Sequence, residues 1–465
     1  MLRIGAQRVP TRTVLLVCSD AVLIGVGLLL AIVLRFWNLD TIMAYLRDPN
    51  TLARFALVVL VCELALYYHD LYDARVVNRR AELFVRLLQA FGTACLVLAL
   101  CYYIKPGWGL GRGTAVIAAL IILILMLGWR LLLDTTGLFL RGPERVLVLG
   151  TSAAGISLVR EILARPDLNM RVVGFLDEKG ENIGKSIVNP GIIGASGEVD
   201  TIVAKEKIDR VVLSLSERRG RTPVRQLLEL KFVGVGIEDA HSFNERITGR
   251  ILLEDLSPSW LIFSKGFRKS VVLMAAKRVM DIILSLCMLT LSLPIMLLTA
   301  LAIWLETGSP TLFRQVRTGL HGHTFEILKF RSMYQNAEDN GPSWTADVDD
   351  RITSVGRFIR KFRLDELPQL INVLRGEMSL VGPRPERPYF CRMLEENIPF
   401  FGLRHFVRPG ITGWAQIKYR YGASIEEAKT KLEFDLFYIK HLSLMLDLAI
   451  LLETAKVALY GRGAK

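Results

Sequence analysis

Four apolar segments occupy the first third of the chain and constrain its fold more than any other feature. They cover about residues 14 to 34, 52 to 68, 83 to 104 and 114 to 133. Each approaches the roughly 20 residues that a helix needs to cross the hydrocarbon core of a bilayer. Because no small-residue cleavage site is evident and three more segments follow, the first is not interpreted as a removable signal peptide. The sequence therefore predicts a four-span transmembrane domain over residues 1–140.

Basic residues between these segments predict their orientation. Three arginines precede the first span, three follow the second and three follow the fourth: Arg3, Arg8, Arg12, Arg75, Arg79, Arg80, Arg130, Arg141 and Arg145. The two remaining loops carry fewer basic residues: Arg35, Arg47, Lys105 and Arg112. Cytoplasmic loops are enriched in Lys and Arg, so we expect everything after the fourth span to lie in the cytoplasm.

Composition agrees with a membrane anchor that carries soluble parts. Hydrophobic residues make up 52% of the chain, yet 22% of its residues are charged. The net charge of +13 suits anionic headgroups, phosphorylated substrates or nucleic acid and does not choose among them. No CxxC spacing indicates a metal or redox pair, and His321 and His323 in LHGH are interpreted as part of a hairpin turn.

Residues 141–255 are predicted to form a Rossmann-like cytoplasmic domain. RVLVLGTSAAGISLVREIL reads as strand, glycine turn and helix, and three further strand-like stretches follow at 171–177, 210–215 and 233–239. Strands that alternate with helical patterns imply a parallel sheet. Gly150 and Gly155 match two glycines of the dinucleotide fingerprint, but Ser152 replaces the one that admits a pyrophosphate. Nucleotide binding and a purely structural turn both remain open.

A linker over residues 256–270 precedes a fifth apolar run from about 282 to 305. About 24 residues at 1.5 Å each give roughly 36 Å, enough to cross a bilayer. However, basic residues flank the run on both sides, Pro294 near its middle favours a kink, and both flanks can share one membrane face if the helix turns back. We therefore predict a re-entrant helix at about 279–305 within a catalytic domain of residues 271–465.

Two adjacent carboxylates, Asp365 and Glu366, follow an amphipathic helix predicted at 351–363. LPQLINVLRG then reads as a new helix that ends at Gly376, which places the pair at a helix N-terminus. One explanation of the pair is structural: Asp365 caps the helix and Glu366 is an acidic residue of its first turn. The other is functional, because a helix start favours an ionised Asp365 as a nucleophile while Glu366 holds a cation such as Mg²⁺.

Basic side chains near this pair favour the functional explanation. Lys329 and Arg331 differ by two along a predicted strand from Phe325 and are expected on the same side. In VGPRPERP, two prolines exclude a helix around Arg384 and fix a guanidinium suited to a phosphate. Acidic pair and cations together describe a site for a metal-bound diphosphate.

Three motifs in this region are those of a known family. They are KFRSM at 329–333, DDRITSVGRFIRKFRLDELPQLINVLRGEMSLVGPRP at 349–385 and RPGITGWAQI at 408–417. From about Ala275 to the C-terminus the chain closely resembles the bacterial polyprenyl-phosphate sugar-1-phosphate transferases, the monotopic phosphoglycosyl transferases. The four spans and the Rossmann-like unit resemble the long-chain members that start exopolysaccharide or O-antigen assembly.

This resemblance implies a reaction and a set of roles. Asp365 would attack the β-phosphorus of a UDP-sugar, release UMP and form a covalent phosphosugar, which polyprenyl (undecaprenyl) phosphate would then accept. Glu366 would hold the cofactor Mg²⁺. Phosphate groups would be bound by Lys329, Arg331, Arg360 and Arg384.

The resemblance also implies a membrane protein of α and α/β parts: a four-helix anchor, a Rossmann-like domain and an α-rich catalytic domain on a re-entrant helix. Its partners would be a UDP-sugar, polyprenyl phosphate and membrane lipid, without nucleic acid, and a homodimer stays open. The expected location is the bacterial inner membrane, with both soluble domains on the cytoplasmic face. Members of the family commonly have Ser directly before the proline that breaks this helix. Here Leu293 separates Ser292 from Pro294, so Ser292 is not assigned the bracing hydrogen bond.

Several alternatives remain open at this point. The chain could be a nucleotide-sensing membrane scaffold or a glycosyltransferase that releases UDP, and the transferred sugar cannot be read. The C-terminal run HLSLMLDLAILLETAKVALYG fits an interfacial helix and a core helix almost equally well.

Overall fold

In the computed structural model of the protein, the chain forms two compact units. One comprises Met1–Arg3 and Arg8–Glu238, and the other comprises Ile4–Gln7 and Asp239–Lys465. The described residues are 2–4, 7–9, 11–72, 80–136, 143–178, 180–215, 223–253, 261, 264, 266–335, 351–419 and 424–460. Most of the predicted linker 256–270 therefore lies outside them.

Helices occupy all four apolar segments near the N-terminus. After two short strands, β1 (Leu2–Ile4) and β2 (Gln7–Val9), this region contains α1 (Thr11–Phe36), α2 (Leu39–Arg47), α3 (Thr51–Tyr68), α4 (Arg80–Ile104) and α5 (Arg112–Thr136). By length and composition, α1, α3, α4 and α5 can cross a membrane. They share one apolar core, while many other Leu and Val side chains are exposed. The short α2 was not predicted from the sequence.

One of the arginines counted as a loop charge is buried inside this bundle. Arg130 lies within α5, is 1% exposed, and its Nη2 donates to Oδ2 of Asp20 in α1 at 2.5 Å. A buried ion pair of this kind ties two helices together and says nothing about orientation. Among the other loop arginines, Arg75, Arg79 and Arg141 lie outside the described residues.

A five-stranded sheet confirms the predicted parallel α/β domain. Its elements are β3 (Glu144–Leu149), α6 (Ala153–Ala164), β4 (Met170–Asp177), β5 (Ile192–Ala195), α7 (Val199–Glu206), β6 (Arg210–Leu213), α8 (Val224–Phe232) and β7 (Gly236–Asp239). The strand order is β5-β4-β3-β6-β7, and β3 pairs in parallel with both β4 and β6. The sequence missed β5, because glycines at 191, 194 and 197 interrupt and flank its two isoleucines and such a stretch reads as a loop.

The glycine turn after β3 is packed against the end of β6. Gly150 has a φ of 100°, and a Cβ there would lie 2.3 Å from the Ser214 carbonyl oxygen. The Ser152 hydroxyl is 2.5 Å from the Ser214 hydroxyl and also caps α6 by accepting from the Gly155 N–H. A Cβ on Gly155 would lie 2.2 Å from Ser214 Oγ, so packing within the domain accounts for both glycines of the partial fingerprint.

The second unit is mainly helical. It contains α9 (Ala240–Thr248), α10 (Val271–Thr307), β8 (Leu312–Thr318), β9 (Thr324–Phe330), α11 (Ser354–Lys361), α12 (Gln369–Arg375), β10 (Ser379–Val381), α13 (Pro388–Asn397), β11 (Gly410–Thr412), α14 (Trp414–Lys418), α15 (Ile425–His441) and α16 (Leu444–Tyr460). The hairpin predicted at LHGH is confirmed, because β8 and β9 pair antiparallel. The parallel pair β10 and β11 lies in a core that includes Leu446 and Ile450 of α16.

Residues before the predicted linker also belong to this unit. The Trp414 indole N–H donates to the Gly249 carbonyl at 2.7 Å, and the Ile251 N–H donates to the Glu433 carbonyl at 3.1 Å. Ile251 and Leu253 are both buried in the core of the unit. The predicted domain end at residue 255 thus falls inside the second unit.

Helix α10 contacts this unit near both of its ends. In its first turns, Lys277 Nζ lies 2.6 Å from Asp447 Oδ2. At its last turn, Glu306 Oε1 accepts from the Ser354 N–H at 2.8 Å and so caps α11. The residues between are largely exposed and apolar. The backbone stays helical through Pro294, although a proline inside a helix removes one hydrogen bond and favours a kink. By length and composition, α10 can also cross a membrane.

Candidate active site

The acid pair lies on a single 3-10 turn, Leu364–Glu366, between α11 and α12. Arg363, immediately before the turn, has a φ of 55°, in the left-handed region that residues other than glycine seldom adopt. This reversal separates the turn from α11, and α12 follows only after Pro368. The expectation that the pair occupies the start of the following α-helix is corrected accordingly.

A buried asparagine holds the helix after the acid pair against strand β9. Asn372 is 0% exposed, and its Nδ2 donates to the Glu326 carbonyl at 2.7 Å while its Oδ1 accepts from the Leu328 N–H at 3.0 Å. Both partners lie on the strand that carries Lys329. A pair of hydrogen bonds of this kind fixes the register of strand and helix, so Lys329 and the acid pair keep a constant relation.

Three cations surround the carboxylate of Glu366, which is 8% exposed. Arg384 Nη2 donates to its Oε1 at 3.0 Å. Lys329 Nζ lies 3.7 Å from the same oxygen, and Arg363 Nη1 lies 3.6 Å from Oε2. Burial acts to raise the pKa of Glu366, but these three cations outweigh burial and lower that pKa to about 2.

Asp365 has a different environment from its neighbour. Burial and the adjacent charge of Glu366 raise the pKa of Asp365 to about 6, although three cations act in the opposite direction: Lys329, Arg360 and Arg384. Two adjacent carboxylates in one partly buried site seldom carry charge equally well. Glu366 takes the stable negative charge, and Asp365 keeps an oxygen whose charge the protein neutralises less completely.

Arg384 reaches the site from a segment without helical structure, as its two flanking prolines predicted. This segment is held by backbone hydrogen bonds, because the Gly382 N–H donates to the Thr412 carbonyl and the Gly410 N–H donates to the Pro383 carbonyl, both at 2.9 Å. A Cβ on Gly382 would lie 2.4 Å from the Arg408 carbonyl oxygen. The close approach of two backbones therefore requires glycine here.

Arg331 does not join the cations around the acid pair in this structure. Strand β9 ends at Phe330, so the alternation that was expected to align Arg331 with Lys329 does not reach it. Instead, Arg331 Nη2 donates to Thr307 Oγ1 at 2.6 Å and to the Gly308 carbonyl at 2.7 Å. Arg331 therefore caps the C-terminus of α10, where a cation also offsets the helix dipole.

The donor set of the site fits Mg²⁺ when an anionic substrate completes it. Mg²⁺ in proteins takes one or two carboxylates, with substrate phosphates and water filling the other positions. Glu366 provides one carboxylate, but the cations around it repel a divalent ion that arrives alone. The arrangement suits an ion that enters together with a diphosphate.

The C-terminal unit matches a known family. The model of the family described as bacterial sugar transferase matches residues 272–461. The uncharacterized sugar transferase EpsL of Bacillus subtilis (strain 168) is 42% identical over 194 residues, which are 41% of this chain and 90% of the relative. The chain belongs to the bacterial sugar transferase family.

Two further members of this family carry more specific names. The UDP-N-acetylgalactosamine-undecaprenyl-phosphate N-acetylgalactosaminephosphotransferase of Aeromonas hydrophila is 44% identical over 48% of this chain and 52% of its own length. The undecaprenyl-phosphate glucose phosphotransferase of Komagataeibacter xylinus is 32% identical over 72% of this chain and 62% of its own length. This chain thus spans between half and two thirds of the length of these two relatives. The resemblance to the polyprenyl-phosphate sugar-1-phosphate transferases is confirmed.

A second family model, described as a CoA-binding domain, matches residues 68–237 of this bacterial sugar transferase. The match includes the five-stranded sheet and the glycine turn that packs against Ser214. It agrees with the predicted α/β domain.

Sequence reasoning missed two contributors to the site. Arg363 fell within the helix predicted at 351–363 and received no role in the site, although its place directly before the acid pair was a signal. Asn372 was read as an ordinary helix residue, and its role depends on β9, which lies more than forty residues earlier in the chain. No local pattern indicates a pairing over that distance.

Proposed function

We propose that this protein transfers a sugar-1-phosphate from a UDP-sugar to polyprenyl phosphate and releases UMP. The observation that carries the proposal is the unequal acid pair: Glu366 is enclosed by three cations, while Asp365 beside it has a less neutralised carboxylate. Relatives whose names specify phosphotransfer to undecaprenyl phosphate support the same reaction.

In the first step, a carboxylate oxygen of Asp365 attacks the β-phosphorus of the UDP-sugar. The bond from that phosphorus to the bridging oxygen breaks, and UMP leaves with the bridging oxygen and its electron pair. In the second step, a phosphate oxygen of the polyprenyl phosphate attacks the phosphorus and frees Asp365. One phosphoanhydride is exchanged for another, so positioning and charge neutralisation are sufficient and no water needs activation.

Cationic side chains bind the phosphate oxygens in this scheme. Lys329, Arg360 and Arg384 all act electrostatically on Asp365, so an anion that approaches this carboxylate meets all three. Arg331 is not included, because its guanidinium caps α10. Glu366 and the donor phosphates would hold Mg²⁺, which when bound neutralises charge on the leaving UMP.

Membrane entry explains why such a site is joined to α10. We propose that α10 enters the cytoplasmic leaflet, kinks at Pro294 and returns, because both of its ends contact the second unit while its middle is apolar and exposed. The polyprenyl phosphate would then meet Asp365 at headgroup level from the membrane, and the UDP-sugar would arrive from the cytoplasm. The location proposed is the bacterial inner membrane, with the soluble parts on the cytoplasmic side.

Product analysis tests the function. Purified protein in detergent would be supplied with polyprenyl phosphate, Mg²⁺ and each of a panel of UDP-sugars, including UDP-glucose and UDP-N-acetylgalactosamine. The proposal expects UMP and a polyprenyl diphosphate-sugar with at least one donor. Release of UDP would instead identify a glycosyltransferase, and release of neither nucleotide with any donor would favour a scaffold.

A further inference from the structure

A buried guanidinium outside the acid-pair cluster holds the segment that carries Arg384. Arg404 is 7% exposed, and its Nη2 donates to the backbone carbonyl of Arg384 at 2.8 Å. The same nitrogen lies 3.0 Å from Oδ2 of Asp435, which is 2% exposed on α15. The guanidinium carbon also lies 5.0 Å from the centre of the Phe401 ring. Arg404 is therefore fixed on one side by a carboxylate and on another by an aromatic ring.

The contact from Arg404 ends on the main chain of the residue whose side chain reaches Glu366. Arg384 is thus held at its carbonyl by Arg404 and at its guanidinium by Glu366. The prolines on both sides leave its backbone little freedom of rotation. A shift of this carbonyl consequently moves the guanidinium.

We propose that Arg404 is a positioning residue, which acts by holding the Arg384 carbonyl so that the Arg384 guanidinium stays in place beside Glu366 for the donor diphosphate. This inference rests on the proposed function, in which Arg384 binds a phosphate of the donor. Arg404 does not itself touch the substrate. The planar guanidinium of an arginine can hold a carboxylate and a carbonyl together, which the single ammonium of a lysine does less well.

A double-mutant cycle distinguishes positioning from general stabilisation. Kinetic constants for UMP release would be measured for the wild type, Arg404→Met, Arg384→Ala and the double variant. If Arg404 acts through Arg384, Arg404→Met lowers kcat/KM about 10-fold or more in the wild-type background and less than about 3-fold in the Arg384→Ala background. A purely structural role gives the same fold loss in both backgrounds.

Two further variants support the cycle. Arg404→Lys keeps a cation beside Asp435, so it provides an intermediate loss to measure if Arg404→Met does not fold. Trp414→Phe removes another buried hydrogen bond to a backbone carbonyl in the same unit, that of Gly249. Its effect on kcat/KM is expected to be equal with and without Arg384→Ala.

The outcomes separate this inference from the function on which it rests. Equal losses from the Arg404 variants in both backgrounds, or full activity of both variants while Arg384→Ala is impaired, overturn the inference alone. An Arg384→Ala enzyme with wild-type kcat/KM overturns the role of Arg384 in the proposed function, and the inference with it. A wild-type protein that releases no UMP from any donor overturns both.

Discussion

Asp365 and Glu366 are adjacent in the chain but meet different electrostatic surroundings. The 3-10 turn directs Glu366 into a ring of Lys329, Arg363 and Arg384, whereas Asp365 remains beside the charge of its neighbour. A carboxylate that is already paired with cations is a poor nucleophile, because attack would withdraw its charge from them. The side chain that faces less compensation is the better candidate for a covalent bond to phosphorus.

Replacement of Asp365 by asparagine tests this assignment. We expect Asp365→Asn to lower UMP release by a factor of about 10³ or more, because a neutral amide cannot form the aspartyl phosphosugar. Mass spectrometry of enzyme quenched after mixing with a UDP-sugar should detect an adduct on the wild type and none on the variant. The melting temperature should not fall, since one of two adjacent like charges is removed. Substantial turnover by a folded Asp365→Asn protein would contradict the covalent scheme.

Replacement of Glu366 by glutamine tests its role toward the metal. We expect Glu366→Gln to lower kcat by about 10²-fold or more and to raise the Mg²⁺ concentration needed for half-maximal rate. Glu326→Gln serves as the control, because the Glu326 side chain is exposed and its Oε2 lies 3.7 Å from Nη1 of Arg314 on the β8–β9 hairpin. If the Mg²⁺ titration of Glu366→Gln coincides with that of the wild type, Glu366 is not a metal ligand.

Among the helices, α11 lies so close to the backbone at Ser332 that its residue 356 has no room for a Cβ atom. A Cβ on Gly356 would lie 2.0 Å from the Ser332 carbonyl oxygen, just after β9. We expect Gly356→Ala to displace α11, which carries Arg360, and to lower the free energy of unfolding by about 1–3 kcal/mol. Urea unfolding in detergent, with UMP release measured in parallel, checks this.

Gly402→Ala is the matched control for this prediction. A Cβ on Gly402 would meet the end of the Glu395 side chain at 3.3 Å, and that side chain can move aside. We expect little change in its unfolding or activity. Equal stability of the Gly356→Ala and Gly402→Ala proteins would show that α11 adjusts without cost.

The path of α10 through the membrane can be tested by cysteine labelling. In a background without native cysteines, Arg268→Cys and Arg314→Cys flank the helix, and Leu291→Cys lies in its exposed apolar middle. We expect an impermeant maleimide to label both flanks in inside-out vesicles and neither in right-side-out vesicles, because both ends contact one unit. Leu291→Cys should resist the reagent from either side. Labelling of the two flanks from opposite sides would establish a spanning helix.

For the molecule as a whole, residues 239–253, which follow the α/β sheet, are part of the second unit. Lys440 Nζ donates to Oε2 of Glu245 in α9 at 2.7 Å, and Ile251 and Leu253 are part of the apolar core. A chain that begins at Asp239 should therefore release UMP. A chain that begins at Ser270 should have a free energy of unfolding lower by several kcal/mol, because each buried apolar side chain that it loses contributes about 1.5–3 kcal/mol. Thermal unfolding and UMP release of the two truncated proteins provide the measurement. Equal stability of both would show that residues 239–253 are dispensable.

Local patterns predicted many elements of this protein correctly. Apolar runs of sufficient length marked four helices, alternation marked β9, and prolines marked the segment around Arg384, since each depends on neighbours in the chain. Strand β5 was missed because glycines interrupt and flank it, and helix α2 was missed because its residues were counted as a loop between two apolar segments. Arg130 was misread for another reason: its partner Asp20 lies on a different helix, and that contact decides that it is buried.

The sequence alone determined the family of this chain, the presence of membrane helices and the identity of the acid pair, because these depend on residue types in fixed order. Only the tertiary structure decided how the electrostatic surroundings of the two acids differ, why Arg331 contacts the end of α10 and not the acid pair, and how Arg404 holds Arg384. Each of these depends on groups far apart in the chain, and Coulomb and hydrogen-bond energies follow distances in space that sequence order does not specify.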